Sequence, residues 1–187
     1  MPPEKIDVVV VGGGQAGIAA SEHLTKAGIK HVILERARIA ENWRTMRWDS
    51  LVANGPAWHD RFPNMEFKGR HQDAFVPKEE VADYFIDYAK MFDAPIREGI
   101  TVKAVRRKND SAGFVVKTSD GVIEASYVIS ATGAFQLAMV PPIVPKVEGL
   151  TQLHSTAYRN PQALAEGNVL VVGAGSSGAQ ISTELMK

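Results

Sequence analysis

The alternation of apolar runs and amphipathic stretches predicts short buried strands that are separated by helices. Val8–Val11 is an unbroken run of valines, which is typical of a strand buried on both faces. Ile18–Leu24 continues as a helix up to Gly28, and His31–Glu35 predicts a second strand. This order of strand, helix and strand predicts an α/β fold with a parallel sheet.

Later segments predict one long helix and a hairpin that interrupts the parallel sheet. Pro77–Val81 has a proline near its start and acidic residues in its first turn, as helix N-termini do. The apolar face of this helix predicts core rather than a binding site, and its members are Val81, Tyr84, Phe85, Tyr88, Ala89 and Phe92. The other predicted elements are a loop and strand over Ile96–Val105, a β-hairpin of Phe114–Thr118 and Val122–Ala125 around the turn Ser119–Gly121, and a buried strand over Tyr127–Ala131.

The segment from Ala37 to Phe75 has little hydrophobic periodicity and contains three tryptophans, Trp43, Trp48 and Trp58. Loops of this length are usually functional or disordered, and three large aromatic rings argue against disorder. We therefore expect a functional segment. The alternative is that the three rings only cover a small core.

Chemistry enters the pattern at the end of the first strand, where three glycines have the spacing G-x-G-x-x-G. Gly12 would make a tight turn, Gly14 would let a pyrophosphate approach the backbone, and Gly17 would let helix pack on strand. The N–H groups at the start of the helix, with the positive end of its dipole, would hold the phosphates. Glu35 lies 18 positions after Gly17, where a ribose-binding carboxylate is expected. Together these features predict a Rossmann-like dinucleotide-binding unit.

The opening of the chain is repeated near its end. When Val8–Lys26 is shifted by 161 positions onto Val169–Lys187, 9 of 19 residues are identical, including all three glycines of the motif. Gly173, Gly175 and Gly178 therefore predict the start of a second dinucleotide-binding unit. The alternative is a glycine turn in another kind of α/β connection. Two such units imply two dinucleotides, for which a flavin and a nicotinamide are the economical pair.

The predicted domains are residues 1–160 for the first nucleotide and residues 161–187 for the second. Pro141–Pro145 cannot form a helix or a central strand, because proline lacks the N–H that both need, so we expect an extended connection there. One strand and one helix cannot bury their own apolar faces. We therefore expect the second unit to be incomplete. The chain is then either a fragment or truncated gene product, or its last segment docks on the first domain and no longer binds nicotinamide.

Composition narrows the function classes. The 187 residues include 21 Lys and Arg and 21 Asp and Glu, so a broad basic surface for nucleic acid or anionic membrane is not expected. There is no cysteine, which excludes thiolate metal sites and the redox-active cysteine pair of flavin disulfide reductases. The five histidines show no metal-ligand spacing. No stretch predicts a signal peptide or membrane span, so the expected compartment is the cytoplasm.

With both glycine motifs placed, the chain resembles the N-terminal portion of a class B flavin-dependent monooxygenase, a group that includes flavin-containing, YUCCA-type and Baeyer–Villiger enzymes. The resemblance places Trp43 beside the flavin, Ala131-Thr132-Gly133 near FAD, and Val102 by the adenine. The implied FAD-binding residues are Gly12, Gly14, Ala16, Gly17, Glu35, Arg36, Trp43, Val102, Ala131, Thr132 and Gly133. The implied nicotinamide-binding residues are Gly173, Gly175, Ser176 and Gly178.

Two further stretches bear on the resemblance. Leu51–Pro56 is similar to the flavin-containing monooxygenase stretch whose Asn holds NADP⁺ and oxygen near the flavin, which makes Asn54 the catalytic candidate. The alternative is a turn Asn before Gly-Pro. In the linker fingerprint of the family, His154 and Tyr158 match, whereas Val147 replaces the Phe and four residues instead of three precede His154. This departure argues against Baeyer–Villiger chemistry and leaves His154 a linker-positioning role.

The resemblance implies an oxidoreductase that uses FAD and NAD(P)H, with NADPH expected, and inserts one oxygen of O₂ into a small nucleophilic or carbonyl substrate through a C4a-peroxyflavin. The main alternative is a catalytically inactive nucleotide-binding fragment. A flavin disulfide reductase conflicts with the absence of cysteine. A dehydrogenase that uses nicotinamide alone would not need two glycine motifs. Neither the substrate nor the oligomeric state follows from the sequence.

Overall fold

The structure is a computed structural model that describes residues 2–109, 111–142 and 148–187. Val147 of the linker fingerprint and most of the predicted connection Pro141–Pro145 lie outside the described residues. The regular elements are β1 (Glu4–Val11), α1 (Gln15–Lys26), β2 (His31–Leu34), α2 (Glu41–Thr45), β3 (Val52–Pro56), α3 (Ala57–Asp60), β4 (Phe75–Pro77), α4 (Lys78–Met91), β5 (Ile96–Arg97), β6 (Val102–Arg107), β7 (Phe114–Thr118), β8 (Val122–Ser130), a 3₁₀ turn (Pro161–Ala163) and α5 (Ser176–Leu185).

The described residues form two compact units. The first unit comprises Met1–Glu41, Phe62–Met65 and Ala82–Ala134, and the second comprises Asn42–Arg61, Glu66–Val81 and Phe135–Lys187. The predicted division at residue 160 stays a prediction.

The first unit contains a six-stranded sheet in the order β5-β2-β1-β8-β7-β6. Its first four strands are parallel neighbours, and β8, β7 and β6 are joined as antiparallel neighbours. A parallel sheet with a β-hairpin crossover was predicted, and the structure confirms this fold class.

Strand β1 is buried on both faces, as the valine run predicts. Val8 and Val10 pack with Ile33 on one side, and partly buried Leu24 of α1 joins them. Val9 belongs to a second cluster, on the other face of the strand. The other buried members of that cluster are Ile6, Val32, Leu34, Val116, Ile123 and Ala125.

Two sequence predictions about strands are wrong. Val122–Ala125 and Tyr127–Ser130 are parts of one strand, β8, which pairs with β7 through its first residues and with β1 along most of its length. Ser126, which separates the two segments, continues the strand, and Tyr127 is 68% exposed instead of buried. The predicted loop and strand over Ile96–Val105 agree with a strand, β6, that begins at Val102. Ile96 and Arg97 also form the short strand β5, which lies at the opposite end of the sheet order.

The second unit contains the antiparallel pair β3 and β4, with helices α2, α3 and α5. Part of the segment predicted to be aperiodic is therefore regular. Its buried core consists of Trp48, Leu51, Tyr158 and Ile181. Within the described ranges, no helix is long and apolar enough to cross a membrane.

Candidate functional site

The first glycine loop is formed by contacts that leave no room for a side chain at its turn. Gly12 has a φ of 111°, and its N–H donates a 2.9 Å hydrogen bond to the carbonyl of Leu34. A Cβ at Gly12 would overlap with the carbonyl oxygen of Ala131. The Ala131 N–H donates in turn to the carbonyl of Val11 at 2.9 Å. The turn therefore brings Ala131 against the loop, while its place near FAD stays a prediction.

Gly14 and Gly17 have different surroundings at the start of α1. A Cβ at Gly17 would overlap with the carbonyl oxygen of Gly12, whereas a Cβ at Gly14 would have no atom within 4 Å. Gly14 is the N-cap and supplies no side chain to the free N–H groups of the first turn, and Ala16 in this turn is exposed. An uncapped helix start with open space in front of it suits an anion.

Glu35 follows directly on β2, and its half-buried carboxylate is fixed by two backbone groups. The Gly13 N–H donates to Oε2 at 2.7 Å, and the Ala37 N–H donates to Oε1 at 2.9 Å. Each carboxylate oxygen accepts more than one hydrogen bond, so Glu35 retains acceptor capacity for a hydroxyl group. The predicted ribose-binding acid thus lies against the glycine loop, while Arg36 beside it is exposed.

Gly12, Glu35 and Ala131 each follow the last residue of a parallel strand. Because β1, β2 and β8 are parallel neighbours, these residues lie at one edge of the sheet. Ligands of open α/β sheets bind outside this carboxyl edge. Thr132 and Gly133 continue from Ala131 as exposed residues, and Gly133 has a φ of 77°.

Val102 is the first residue of β6, at the end of the sheet order opposite β5. It is partly buried and packs against the core cluster that contains Val9 and Leu34. Its predicted place by the adenine stays a prediction.

The second glycine loop repeats the backbone geometry of the first. Gly173 has a φ of 114°, against 111° for Gly12, and both Gly14 and Gly175 are extended N-caps. A Cβ at Gly178 would overlap with the carbonyl oxygen of Gly173, just as a Cβ at Gly17 would overlap with the carbonyl oxygen of Gly12. Ser176 begins α5. The sequence repeat therefore corresponds to a repeat of structure.

The residues before the second loop differ from β1. Val169–Val172 was predicted to be a strand, but these residues form no strand with any part of the chain that the structure describes. Leu170 is 82% exposed, and a Cβ at Gly173 would meet nothing within 4 Å. A strand needs a hydrogen-bonded neighbour, which β1 has on both sides and this segment lacks.

The three tryptophans have different environments. Trp48 is 2% exposed and belongs to the core of the second unit, while Trp43 on α2 is partly buried and packs against this core. Trp58 on α3 is 52% exposed. The alternative interpretation, that the rings cover a small core, is therefore correct for Trp48. The place of Trp43 beside a flavin stays a prediction.

Asn54 lies within strand β3, not in the turn that the alternative interpretation required. The next residue, Gly55, donates its N–H to Asp60 Oδ2 at 3.0 Å, and a Cβ there would overlap with the same carboxylate. The exposed side chain of Asn54 contacts one residue that sequence reasoning missed. Gln180 Nε2 donates to Asn54 Oδ1 at 3.2 Å. The only sequence signal for Gln180 is its position two residues after Gly178.

Tyr158 anchors α5 within the second unit. Its hydroxyl donates a 2.7 Å hydrogen bond to Glu184. The pKa of Tyr158 is raised mainly because the hydroxyl is buried, and also because it contacts this carboxylate. His154 forms a local hydrogen bond between Nδ1 and Thr156 Oγ1 at 3.0 Å. Among the described residues, no group of three His, Cys, Asp or Glu side chains is arranged to hold a metal ion.

Comparisons with known proteins relate this geometry to redox enzymes. The model of the family described as "Pyridine nucleotide-disulphide oxidoreductase" matches residues 9–187. The "Uncharacterized oxidoreductase CzcO-like" of Geobacillus kaustophilus is 40% identical over 182 residues, which are 96% of this chain and 51% of that protein. The probable indole-3-pyruvate monooxygenase YUCCA4 of Arabidopsis thaliana is 30% identical, over 96% of this chain and 44% of that protein.

Among solved structures, the flavin-containing monooxygenase from Stenotrophomonas maltophilia is 32% identical, with a TM-score of 0.83. The alignment covers 98% of this chain and 55% of that chain. The chain therefore spans about half the length of the relatives that it matches.

Proposed function

The chain belongs to the pyridine nucleotide-disulphide oxidoreductase family, and on this premise we propose that it serves an oxygen insertion that depends on FAD and NADPH. Its similarity to flavin monooxygenases and to a YUCCA monooxygenase confirms the resemblance predicted from the glycine motifs. The proposed substrate is a small molecule with a nucleophilic or carbonyl centre, and O₂ is the co-substrate. The observation that carries this proposal is the pair of glycine loops with the same backbone geometry.

The first glycine loop fits the diphosphate and ribose of FAD. Open space in front of Gly14 admits a phosphate, and the uncapped start of α1 offers N–H donors to it. Glu35 is held against the same loop with acceptor capacity left for a ribose hydroxyl. The residues that follow β8, Ala131, Thr132 and Gly133, continue from the same carboxyl edge of the sheet as the glycine loop. FAD bound there would accept electrons from NADPH and would activate O₂.

The second glycine loop is the proposed site of the nicotinamide dinucleotide. Gly175 leaves open space in front of α5, and Ser176 adds a hydroxyl at the first helical position. The diphosphate would bind to the N–H groups of this turn, as at the first loop. The preference for NADPH over NADH is a proposal that rests on the family resemblance.

Asn54 is the proposed catalytic residue because its exposed amide lies on a strand rather than in a turn. Asp60 fixes the neighbouring backbone through the N–H of Gly55, so the strand holds the amide in a defined place. In our proposal, this amide holds the nicotinamide cofactor and oxygen near the flavin. Trp43 would exclude water there. Since the 187 residues contain no cysteine, disulfide reduction by a thiol pair of these residues is not supported.

A second candidate function is nucleotide binding without turnover. The observation that favours it is the segment Val169–Val172 before the second loop. It pairs with no strand among the described residues, and Val169, Leu170 and Val172 are exposed. A loop whose preceding strand has no neighbour is weakly supported and would hold a nicotinamide dinucleotide poorly.

Flavin absorbance separates the candidates. We expect the purified chain, mixed with FAD, to retain the two visible flavin bands through gel filtration, and Gly14→Ala to lose them. Trp58→Ala, which changes an exposed ring far along the sequence, serves as the control and should keep them. A colourless wild-type chain would contradict FAD binding. If NADPH bleaches the bound flavin without air and O₂ then yields an oxygenated product, the result supports the monooxygenase. If the chain holds flavin that NADPH does not reduce, the result supports the second candidate.

A further inference from the structure

The helix that follows the second glycine loop contacts the strand that carries the catalytic candidate. Gln180 lies on α5, two residues after Gly178, and its side chain is partly buried. Its Nε2 lies 3.2 Å from Asn54 Oδ1 and 3.4 Å from the carbonyl oxygen of Val52. Both partners belong to β3. One amide group therefore links α5 to the strand at two points.

The backbone carbonyl of Val52 determines the direction of both contacts. A carbonyl oxygen only accepts hydrogen bonds, so the Gln180 group that faces it must be the NH₂. The atom of Asn54 that contacts the same NH₂ must then be an acceptor, namely Oδ1. The Asn54 Nδ2 is left as the donor that faces away from Gln180. The chain of contacts thus decides which end of the exposed amide meets a ligand.

The position of Gln180 is set by its neighbours on α5. Ile181, the next residue, is 7% exposed and packs with Trp48 and Leu51. Four residues after Gln180, Glu184 accepts the 2.7 Å hydrogen bond from the Tyr158 hydroxyl. Two anchors within about one helical turn restrict rotation and sliding of α5. Gln180 therefore presents its amide to β3 from a fixed helix.

We propose that Gln180 is a positioning residue that sets the hydrogen-bond polarity of Asn54, so that Asn54 donates through Nδ2 to an acceptor oxygen of the bound nicotinamide cofactor. The inference rests on the proposed function of Asn54. The helix α5 connects the second glycine loop to the catalytic candidate, because Gly175 of the loop is its N-cap and Gln180 on it contacts Asn54. Nicotinamide binding and the orientation of Asn54 are thereby coupled.

The polarity is tested with side-chain amide resonances of ¹⁵N-labelled, FAD-loaded protein, in which Asn54→Ser identifies the Asn54 pair by its loss. In Gln180→Glu the introduced carboxylate only accepts, so Asn54 must turn its Nδ2 towards it. We expect the Asn54 proton resonances to move downfield and to titrate with that carboxylate. Gln180→Met removes the contacts without adding an acceptor, and the Asn54 pair should show no titration there.

A second variant, Asn54→Asp, keeps the proposed hydrogen-bond polarity and tests it independently if Gln180→Glu fails to fold. In Asn54→Asp, the introduced carboxylate accepts from the Gln180 NH₂ as Asn54 Oδ1 does, so the Gln180 pair should titrate with it. Gln180→Glu should also melt at a lower temperature than Asn54→Asp, because only the former places a carboxylate against the Val52 carbonyl. Amide resonances that titrate in neither variant, or equal melting temperatures, would overturn the positioning role.

Turnover distinguishes this inference from the proposed function. In the FAD-loaded protein, Gln180→Glu should raise the KM for NADPH and lose oxygenated product in favour of hydrogen peroxide, and both effects should be smaller in Gln180→Met. Equal product yields in wild type and Gln180→Glu would overturn the inference. If the wild-type protein oxidises no NADPH, the proposed function fails, and the amide titrations alone decide whether Gln180 orients Asn54.

Discussion

The N–H of Gly13 donates a 2.7 Å hydrogen bond to Oε2 of Glu35, across 22 residues of sequence. This contact joins the glycine loop after β1 to the acid after β2. The N–H of Ala37 donates to the other carboxylate oxygen, Oε1. A hydrogen bond to a charged group is worth more than one between neutral groups. Glu35 therefore has a structural task in the glycine loop besides its proposed contact with ribose.

Glu35→Gln tests both tasks. A glutamine offers one acceptor atom, so its NH₂ must face either Gly13 or Ala37, each of which only donates through its N–H. We expect a loss of about 1–3 kcal/mol in the free energy of unfolding, measured by urea denaturation. FAD affinity, measured by quenching of flavin fluorescence, should fall as well.

Glu66→Gln is the matched control for this substitution. The Glu66 side chain is 81% exposed and pairs with Arg61 on the surface, so its neutralisation should change stability by less than about 1 kcal/mol. Equal losses in the two variants would contradict a special role for the Gly13–Glu35 contact.

Gly14→Ala and Gly17→Ala should separate binding from folding. The added methyl group at Gly17 overlaps with the carbonyl of Gly12, whereas the one at Gly14 enters open space. We expect Gly17→Ala to destabilise the protein by about 1–3 kcal/mol. Gly14→Ala should melt near the wild-type temperature but bind FAD more weakly, because the methyl group occupies the space proposed for a phosphate. A strong loss of stability in Gly14→Ala would contradict that division.

The parts of the fold that the sequence predicts well are those that local pattern alone specifies. The valine run of β1 and the three glycines after it determine strand, turn and helix within about ten residues. The division of β8 was wrong because the hydrophobic pattern cannot tell one long strand from two short ones when a single serine, Ser126, lies between them. The exposed ring of Tyr127 interrupts the expected burial without ending the strand.

The candidate site shows the same limit. Glu35 was predicted as a ribose-binding acid from its spacing to the glycine motif, and Ala131 was placed near FAD by the family resemblance. The sheet order brings the strands before both residues next to β1. Gln180 was missed because its contact with Asn54 spans 126 residues and has no spacing rule. The strand that the repeat predicts over Val169–Val172 does not form among the described residues, because a strand depends on a neighbour that its own sequence does not specify.

Trp48 tests whether the second unit depends on packing or on polar contacts. The ring is 2% exposed, and its Nε1–H finds no acceptor among the residues that the structure describes. Trp48→Phe therefore loses some packing but no hydrogen bond, and we expect a cost of at most about 1.5 kcal/mol in urea unfolding. Trp48→Ala should cost about 3–5 kcal/mol. The exposed Trp58 provides the control, since Trp58→Ala should change stability by less than about 0.5 kcal/mol.

Tyr158 should make the second unit sensitive to alkaline pH. Burial and the hydrogen bond to Glu184 raise the pKa of the Tyr158 hydroxyl in the folded protein above the value of about 10 that holds in an unfolded chain. The unfolded state therefore loses this proton first, and the contribution of Tyr158 is complete below about pH 10 and falls as the pH rises further. Tyr158→Phe should cost about 1–2 kcal/mol near neutral pH through the lost hydrogen bond. The difference in unfolding free energy between wild type and Tyr158→Phe, measured in urea at neutral and at strongly alkaline pH, should shrink at the higher pH. A difference that stays constant would show that the folded protein releases the Tyr158 proton as readily as the unfolded chain.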